Sequence, residues 1–200
     1  MAPPMLASFV LVTCRQGGPR QALNAASQPS QAQRLPPTPA CDDGGSTPSQ
    51  TAGPFYTPNS PERTSLLEPG ITGTRIIVTG QVLSSNCTPI ANARVDFWHA
   101  NDRGEYDNSG YTLRGHQFTD AEGRYSLETI VPGVYPGRTR HFHVRVRDSD
   151  KTGLTTQLYF PEEPLNQDDF LFQPELLMSV REGAEGKQAT FNFVLETEAA

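Results

Sequence analysis

The chain has 200 residues and a net charge of −6 at neutral pH. That length suits one ordinary domain with its own core and is too short for two large ones; the acidic balance, with no block of Lys or Arg, excludes a surface built to neutralise nucleic-acid phosphates. With 18 prolines, 17 glycines and no long apolar stretch of helical period, many short strands joined by turns are expected.

Residues 1–40 read as a leader and tether. The apolar run 5–12 is far below the roughly 18 residues that cross a bilayer, so it is suited only to a signal h-region. Leu11-Val12-Thr13-Cys14 resembles a bacterial lipoprotein processing site, which makes Cys14 the expected lipid anchor. Export (periplasmic, membrane-anchored or secreted) is the expected location, with a cytoplasmic enzyme as the alternative. Cys41 and Cys87 are then left as a candidate disulfide pair in an oxidising compartment. Residues 17–40, rich in Gln, Pro, Ala and Ser, have little to bury and read as a flexible linker.

The folded domain is expected over residues 41–200. Residues 75–83 carry Ile76, Ile77, Val78 and Val82; residues 93–98 alternate Ala93, Val95 and Phe97 with Arg94, Asp96 and Trp98, the pattern of a half-buried strand. A long loop follows, 99–116, holding Gly104, Tyr106, Gly110 and Tyr111; a loop of that length inside a compact domain is often functional. Asp120-Ala121-Glu122-Gly123 reads as the turn of a hairpin joining 117–119 to 124–130. Residues 141–147 put Phe142, Val144 and Val146 on one face and His141, His143, Arg145 and Arg147 on the other. Residues 154–160 and 188–196 supply two further strands. The expected fold is a mostly β protein, an antiparallel β-sandwich with long active-site loops.

On a strand, side chains two residues apart share a face, so His141 and His143 project together, about 7 Å apart at their Cα atoms. Two imidazoles so placed suit one metal ion, and zinc, copper and iron all accept them. No Cys lies nearby and no His-x-Asp or His-x-Glu occurs, so thiolate and two-histidine, one-carboxylate sites lack their local ligands. Tyr135, six residues before His141 across a Pro-Gly turn, is the nearby oxygen donor. Trp98 is expected in the core, and His99 and His116 as hydrogen-bonded or exposed residues.

Five ordered segments carry a specific resemblance. They are Thr47-Pro48-Ser49-Gln50-Thr51-Ala52-Gly53-Pro54; Trp98-His99-Ala100-Asn101 followed by Gly104-Glu105-Tyr106; Thr129-Ile130-Val131-Pro132-Gly133-Val134-Tyr135-Pro136; Arg138-Thr139-Arg140-His141-Phe142-His143; and Thr156-Gln157-Leu158-Tyr159-Phe160. Together they resemble the intradiol ring-cleavage dioxygenases, protocatechuate 3,4-dioxygenase and its small relatives in particular. The resemblance implies a non-haem ferric ion, Fe(3+), with Tyr106 and Tyr135 as phenolate ligands and His141 and His143 as imidazole ligands. A free phenol ionises near pH 10, so phenolate at pH 7 costs about 4 kcal/mol, which a trivalent cation supplies. It implies a catechol-type substrate and O2, ring opening between the two hydroxylated carbons, and a cis,cis-muconate-type diacid as product. Tyr135 is the implied ligand that leaves on substrate binding and accepts its proton. Arg138 is the implied active-site arginine, with Gly53, Pro54 and Gln157 lining the substrate site; Arg140, so close to Arg138, leaves that choice open. A homo-oligomer is the assembly the resemblance implies.

A second reading is a non-enzymatic binding module. Gly80-Gln81-Val82, Pro89-Ile90-Ala91-Asn92-Ala93 and Thr119-Asp120-Ala121-Glu122-Gly123-Arg124-Tyr125 also resemble carboxypeptidase-regulatory and transthyretin-like sandwiches. Those segments specify strands and turns, not chemistry.

Overall fold

The computed structural model describes residues 1, 41, 45–148 and 153–196. The chain divides into two units, Met1–Gln33 and Arg34–Ala200, and the fold is that of the second. The leader, Cys14 and the linker lie outside the described residues.

The strands are β1 (Arg75–Ser84), β2 (Arg94–Trp98), β3 (Arg114–Phe118), β4 (Arg124–Ile130), β5 (His141–Arg147), β6 (Leu154–Tyr159), β7 (Ser179–Gly183), β8 (Gly186–Thr190) and β9 (Phe193–Leu195). The β-branched run of β1 follows the period of two: Ile76 and Val78 are fully buried while Ile77 between them is 39% exposed. One sheet has the order β4-β1-β8-β7, with β9 also on β1; the other has the order β3-β2-β5-β6. Ile76, Val78, Val82 and Leu127 from the first and Val95, Phe97, Phe142, Val144, Val146 and Leu158 from the second form one hydrophobic core.

Three features differ from the sequence reading. The 120–123 turn is present, with Asp120 N donating to Arg124 O and Gly123 N to Asp120 O. The strands on either side do not form a hairpin, because β3 pairs with β2 and β4 with β1. The turn carries the chain from one sheet to the other, and the Gln117 side chain accepts from Ser126 N where a ladder bond would otherwise run. The 188–196 strand is broken into β8 and β9 at Phe191 and Asn192, where the freed Phe191 O accepts from Tyr125 Oη at 2.8 Å and Asn192 Oδ1 accepts from Gln81 N at 3.0 Å. Both pieces run parallel to β1, so the sandwich is antiparallel apart from these pairings. β7, absent from the sequence reading, pairs with β8 across Gly183 and Gly186.

The second sheet positions the site. Trp98, His143 and Gln157 are cross-strand neighbours on β2, β5 and β6, and His141 faces Tyr159. Phe142, Val144 and Val146 point into the core, so His141 and His143 lie on the opposite face. A face that ordinarily meets water is closed off here: His141 and His143 are only 4% and 3% exposed.

Cys41 and Cys87 form a disulfide, Cα atoms 5.5 Å apart, that closes a loop spanning 46 residues. A loop of that size restricts the unfolded chain, so Cys87→Ser is expected to lower unfolding free energy by about 2–4 kcal/mol. Urea denaturation with and without reductant checks this, the reduced wild type matching the variant.

Candidate active site

The site is built by loops folded over the His141–His143 face of β5. Their placement begins with Asn101, whose backbone oxygen accepts from both Gly104 N (3.1 Å) and Gly133 N (2.7 Å). Its side-chain Oδ1 accepts from Arg103 N and Glu105 N. Gly104 has φ +83°, and a Cβ on it would sit 2.1 Å from Val134 O. The 101–106 turn therefore lies backbone to backbone against 133–135, and this sets Tyr106 beside Tyr135, ring centroids 5.9 Å apart and edge to face. Phe55 stacks on Tyr106 at 4.4 Å and meets Tyr135 edge-on at 5.4 Å. Buried Arg114 ties these loops together, donating to Asp107 O from Nε and Nη2 and to Phe55 O from Nη1.

Three donor atoms converge. His141 Nε2 lies 3.2 Å from His143 Nε2 and 3.4 Å from Tyr106 Oη. The other nitrogen of His141, Nδ1, donates to Thr139 O at 2.6 Å, which leaves a lone pair on Nε2 aimed at its neighbours. Burial holds the His141 pKa down at about 4 and pushes that of His143 well below its usual value, so at pH 7 both rings are neutral, the form that binds metal. Burial also pushes the Tyr106 phenol above its usual range, against the opposing charges of Arg138 and Arg114. Among the described residues no three His, Cys, Asp or Glu side chains cluster as metal ligands. The further donor these imidazoles meet is Tyr106 Oη, and oxygen of this kind suits a hard, highly charged ion.

The indole of Trp98 stacks flat on His143, centroids 5.0 Å apart with planes 3° from parallel. Gly53, with φ +66°, lies on another side of that ring, where a Cβ would stand 3.2 Å from His143 Cε1 and 3.7 Å from Nε2. Gly53 thus touches the site, whereas Pro54 beside it is exposed.

Arg138 and Arg140 are separated by the structure. Arg138 Nη2 donates to Gln157 Oε1 at 2.6 Å, and Nε donates to Asp169 Oδ1 and Oδ2 at 3.0 and 2.9 Å. Gln157, fully buried, donates in turn from Nε2 to Thr51 O. Arg138's charge is felt by His141, His143, Tyr106 and Tyr159. Arg140 turns away, donating to Glu163 Oε1 and to Pro132 O. His99 is satisfied by Ala100 O and Thr129 Oγ1, and His116 by Ser60 O, as ordinary hydrogen-bonded histidines. Sequence reasoning missed Asp169 and the stacking of Trp98 on His143; the first sits in a loop with no motif, and the second needs the strand register.

A cleft of about 860 Å³ on the outer face of the first sheet, lined by Thr79, Gln81, Gln117, Arg124 and Gln188 among others, shares no residue with this site.

A two-sheet sandwich with imidazole and phenol donors gathered under loops on one face is the class of protein this geometry defines. A family model described as Dioxygenase (Dioxygenase_C) matches residues 51–197. The protocatechuate 3,4-dioxygenase beta chain of Burkholderia cepacia is 38% identical over 119 residues, 50% of this chain and 51% of that protein. Among solved structures, the dioxygenase domain of a dioxygenase carbohydrate-binding protein fusion from the cellulolytic bacterium Streptomyces sp. SirexAA-E is 49% identical with a TM-score of 0.75, covering 76% of this chain and 99% of that one. The 3-chlorocatechol 1,2-dioxygenase of Rhodococcus opacus 1CP is 28% identical with a TM-score of 0.70, covering 76% and 73%. The chain belongs to the intradiol ring-cleavage dioxygenase family. It spans about half the length of the curated relatives it matches, 51% and 52% for two of them. The binding-module reading draws no support from these relatives.

Gly53→Ala puts a Cβ 3.2 Å from His143 Cε1 at a left-handed backbone position, which alone costs about 1–2 kcal/mol. The expected result is a lowered thermal midpoint together with a displaced His143 Hε1 resonance; an unmoved resonance means that Gly53 does not shape the site.

Proposed function

We propose that the chain is an Fe(3+)-dependent intradiol dioxygenase that opens a catechol-type ring between its two hydroxylated carbons, consuming O2 and giving a cis,cis-muconate-type diacid. One observation carries the reading: the His141 and His143 Nε2 atoms and the Tyr106 hydroxyl converge under loops that bring Tyr135 alongside. His141, His143, Tyr106 and Tyr135 are the proposed ligands. A ferric ion bound there supplies the charge that holds tyrosine and substrate oxygens as anions and makes the ring reactive toward O2.

The remaining work falls to the protein. The bare Nε2 of His141 is held toward the ion by the bond from Nδ1 to Thr139 O. Tyr135, partly exposed at the mouth of the site, takes the diol's proton as the substrate binds. Arg138, steered by Gln157, sets a fixed positive charge beside the ring to stabilise negative charge developing on it. Phe55, stacked over Tyr106, screens the ring from water. The absence of a side chain at Gly53 leaves the space above His143 to the substrate.

We further propose an exported protein anchored at Cys14, with residues 1–40 as leader and linker and 41–200 as the catalytic domain; the Cys41–Cys87 disulfide supports an oxidising compartment. A homo-oligomer is the proposed assembly.

Purified protein loaded with ferric iron is expected to be wine-red and to take up O2 with one or more of catechol, protocatechuate, hydroxyquinol and chlorinated catechols. Tyr106→Phe and His143→Ala are each expected to abolish colour and uptake together. Colourless wild type, inactive after iron loading on that panel, overturns the proposal.

Arg138 and Arg140 make a paired test. Arg138→Lys is expected to lower kcat by about 10²-fold, the usual cost of one lost charge-stabilising donor, while Arg140→Lys stays within about threefold. Equal losses in steady-state kinetics refute the assignment of Arg138.

A further inference from the structure

The loop after β6 sends one carboxylate back to the catalytic segment. Asp169 is 6% exposed, and its carboxylate accepts from donors only: Arg138 Nε at 3.0 and 2.9 Å, Thr139 N at 2.8 Å to Oδ2, and Leu171 N at 2.9 Å to Oδ1. Thr139 is itself 1% exposed and held at three points. Its N–H goes to Asp169, its Oγ1 donates to Asn166 Oδ1 at 2.8 Å, and its carbonyl accepts from His141 Nδ1 at 2.6 Å. Asn166 is anchored in turn through Nδ2 to Phe160 O.

We infer that Asp169 is a positioning residue: through one carboxylate it fixes the Arg138 guanidinium directly and the His141 imidazole by way of the Thr139 backbone. That both effects serve catalysis rests on the iron reading above; the fixing of His141 does not. The chemistry requires a carboxylate. Facing only donors, the group has to be acceptor-only at both oxygens, and an amide of the same shape turns an NH2 toward Arg138 and toward either Thr139 N or Leu171 N. With Thr139 N released, its carbonyl is free to swing, and the acceptor that selects the Nδ1–H tautomer of His141 is lost. A histidine whose outer nitrogen loses its partner no longer presents a fixed lone pair at Nε2. The same loop thus governs two chemically different parts of the site, the donor that grips the ion and the charge beside the substrate.

The test begins on metal-free protein labelled with 15N. In wild type, long-range 1H–15N spectra are expected to show His141 as the Nδ1–H tautomer. Asp169→Asn is expected to mix the two tautomers and to speed exchange of the Thr139 amide by about tenfold or more. In the iron-loaded enzyme the same variant is expected to lower kcat by about 10–100-fold with KM within about threefold, and to shift the visible absorption maximum. Asn166→Ala removes other bonds of this loop but not the carboxylate, so it separates general loosening from positioning and is expected to keep the wild-type tautomer. If Asp169→Asn fails to fold, Asp169→Glu moves the carboxylate by one methylene and is read by the same spectra. An unchanged His141 tautomer and unchanged Thr139 exchange in the variant overturn the inference, as does an equal tautomer change in Asn166→Ala. A tautomer change in a protein that takes up no iron supports the positioning of His141 and sinks only the catalytic reading.

Discussion

The burial of two imidazoles on the outer face of β5 is the constraint on which the rest of the site depends. Taking polar groups out of water costs about 1–3 kcal/mol each unless they find partners, and a strand of alternating side chains offers none on its own. His141 finds one in Thr139 O, and Trp98 covers His143 with an indole face. Trp98 belongs to the neighbouring strand β2, and the rest of the cover comes from loops, because the inner face of β5 is committed to Phe142, Val144 and Val146. Long loops in a small sandwich are thereby explained: they close a sheet face that has polar atoms to hide.

The loops are in turn held by backbone, not by side chains that happen to meet. Asn101 O receives two N–H groups, one from its own turn and one from the 131–135 segment, and the contact at Gly104 leaves no room for a Cβ. Tyr106 and Tyr135, 29 positions apart in sequence, are brought together by that junction (135 − 106). Arg114 repeats the device with its guanidinium, spanning the carbonyls of Phe55 and Asp107. Together the junctions pack Phe55, Tyr106 and Tyr135 into one aromatic cluster and put the Tyr106 hydroxyl beside His141.

Much of this was legible in the sequence, for definite reasons. The period of two in 93–98 and 141–147 identifies strands and their inward faces without further information, and those strands lie where expected. His141 and His143 share a face because of that period alone. What the sequence hides is pairing. Nothing in 117–130 says that its two strands leave for different sheets, since a tight Asp-to-Gly turn serves a hairpin and a corner equally well. Phe191-Asn192 looks like a continuing strand because its alternation is intact; the break depends on Tyr125, 66 residues away, taking the Phe191 carbonyl. Trp98, expected in the core, is buried, yet register puts it on the histidine face. The ambiguity between Arg138 and Arg140 has the same origin. Both precede the strand, and only the turn from Tyr135 O to Arg138 N decides which guanidinium reaches Gln157.

The electrostatics of the site follow from these placements. Burial keeps both imidazoles neutral and raises the cost of ionising Tyr106, and Arg138, the cation beside them, is already matched by the Asp169 carboxylate. The protein alone therefore offers a pocket of uncharged donors with no net demand for a counter-charge. Under the proposed ferric reading a bound cation changes that balance, since in so dry a place ionised donors are its chief compensation. The charges of the Arg138–Asp169 pair cancel at a distance, yet the guanidinium end, directed at Gln157, stays locally positive, on the side where the proposed function has the substrate's charge develop. A free arginine in the same place opposes a cation more strongly, so on the proposed reading the carboxylate behind Arg138 lets one small pocket hold a metal ion and a guanidinium together.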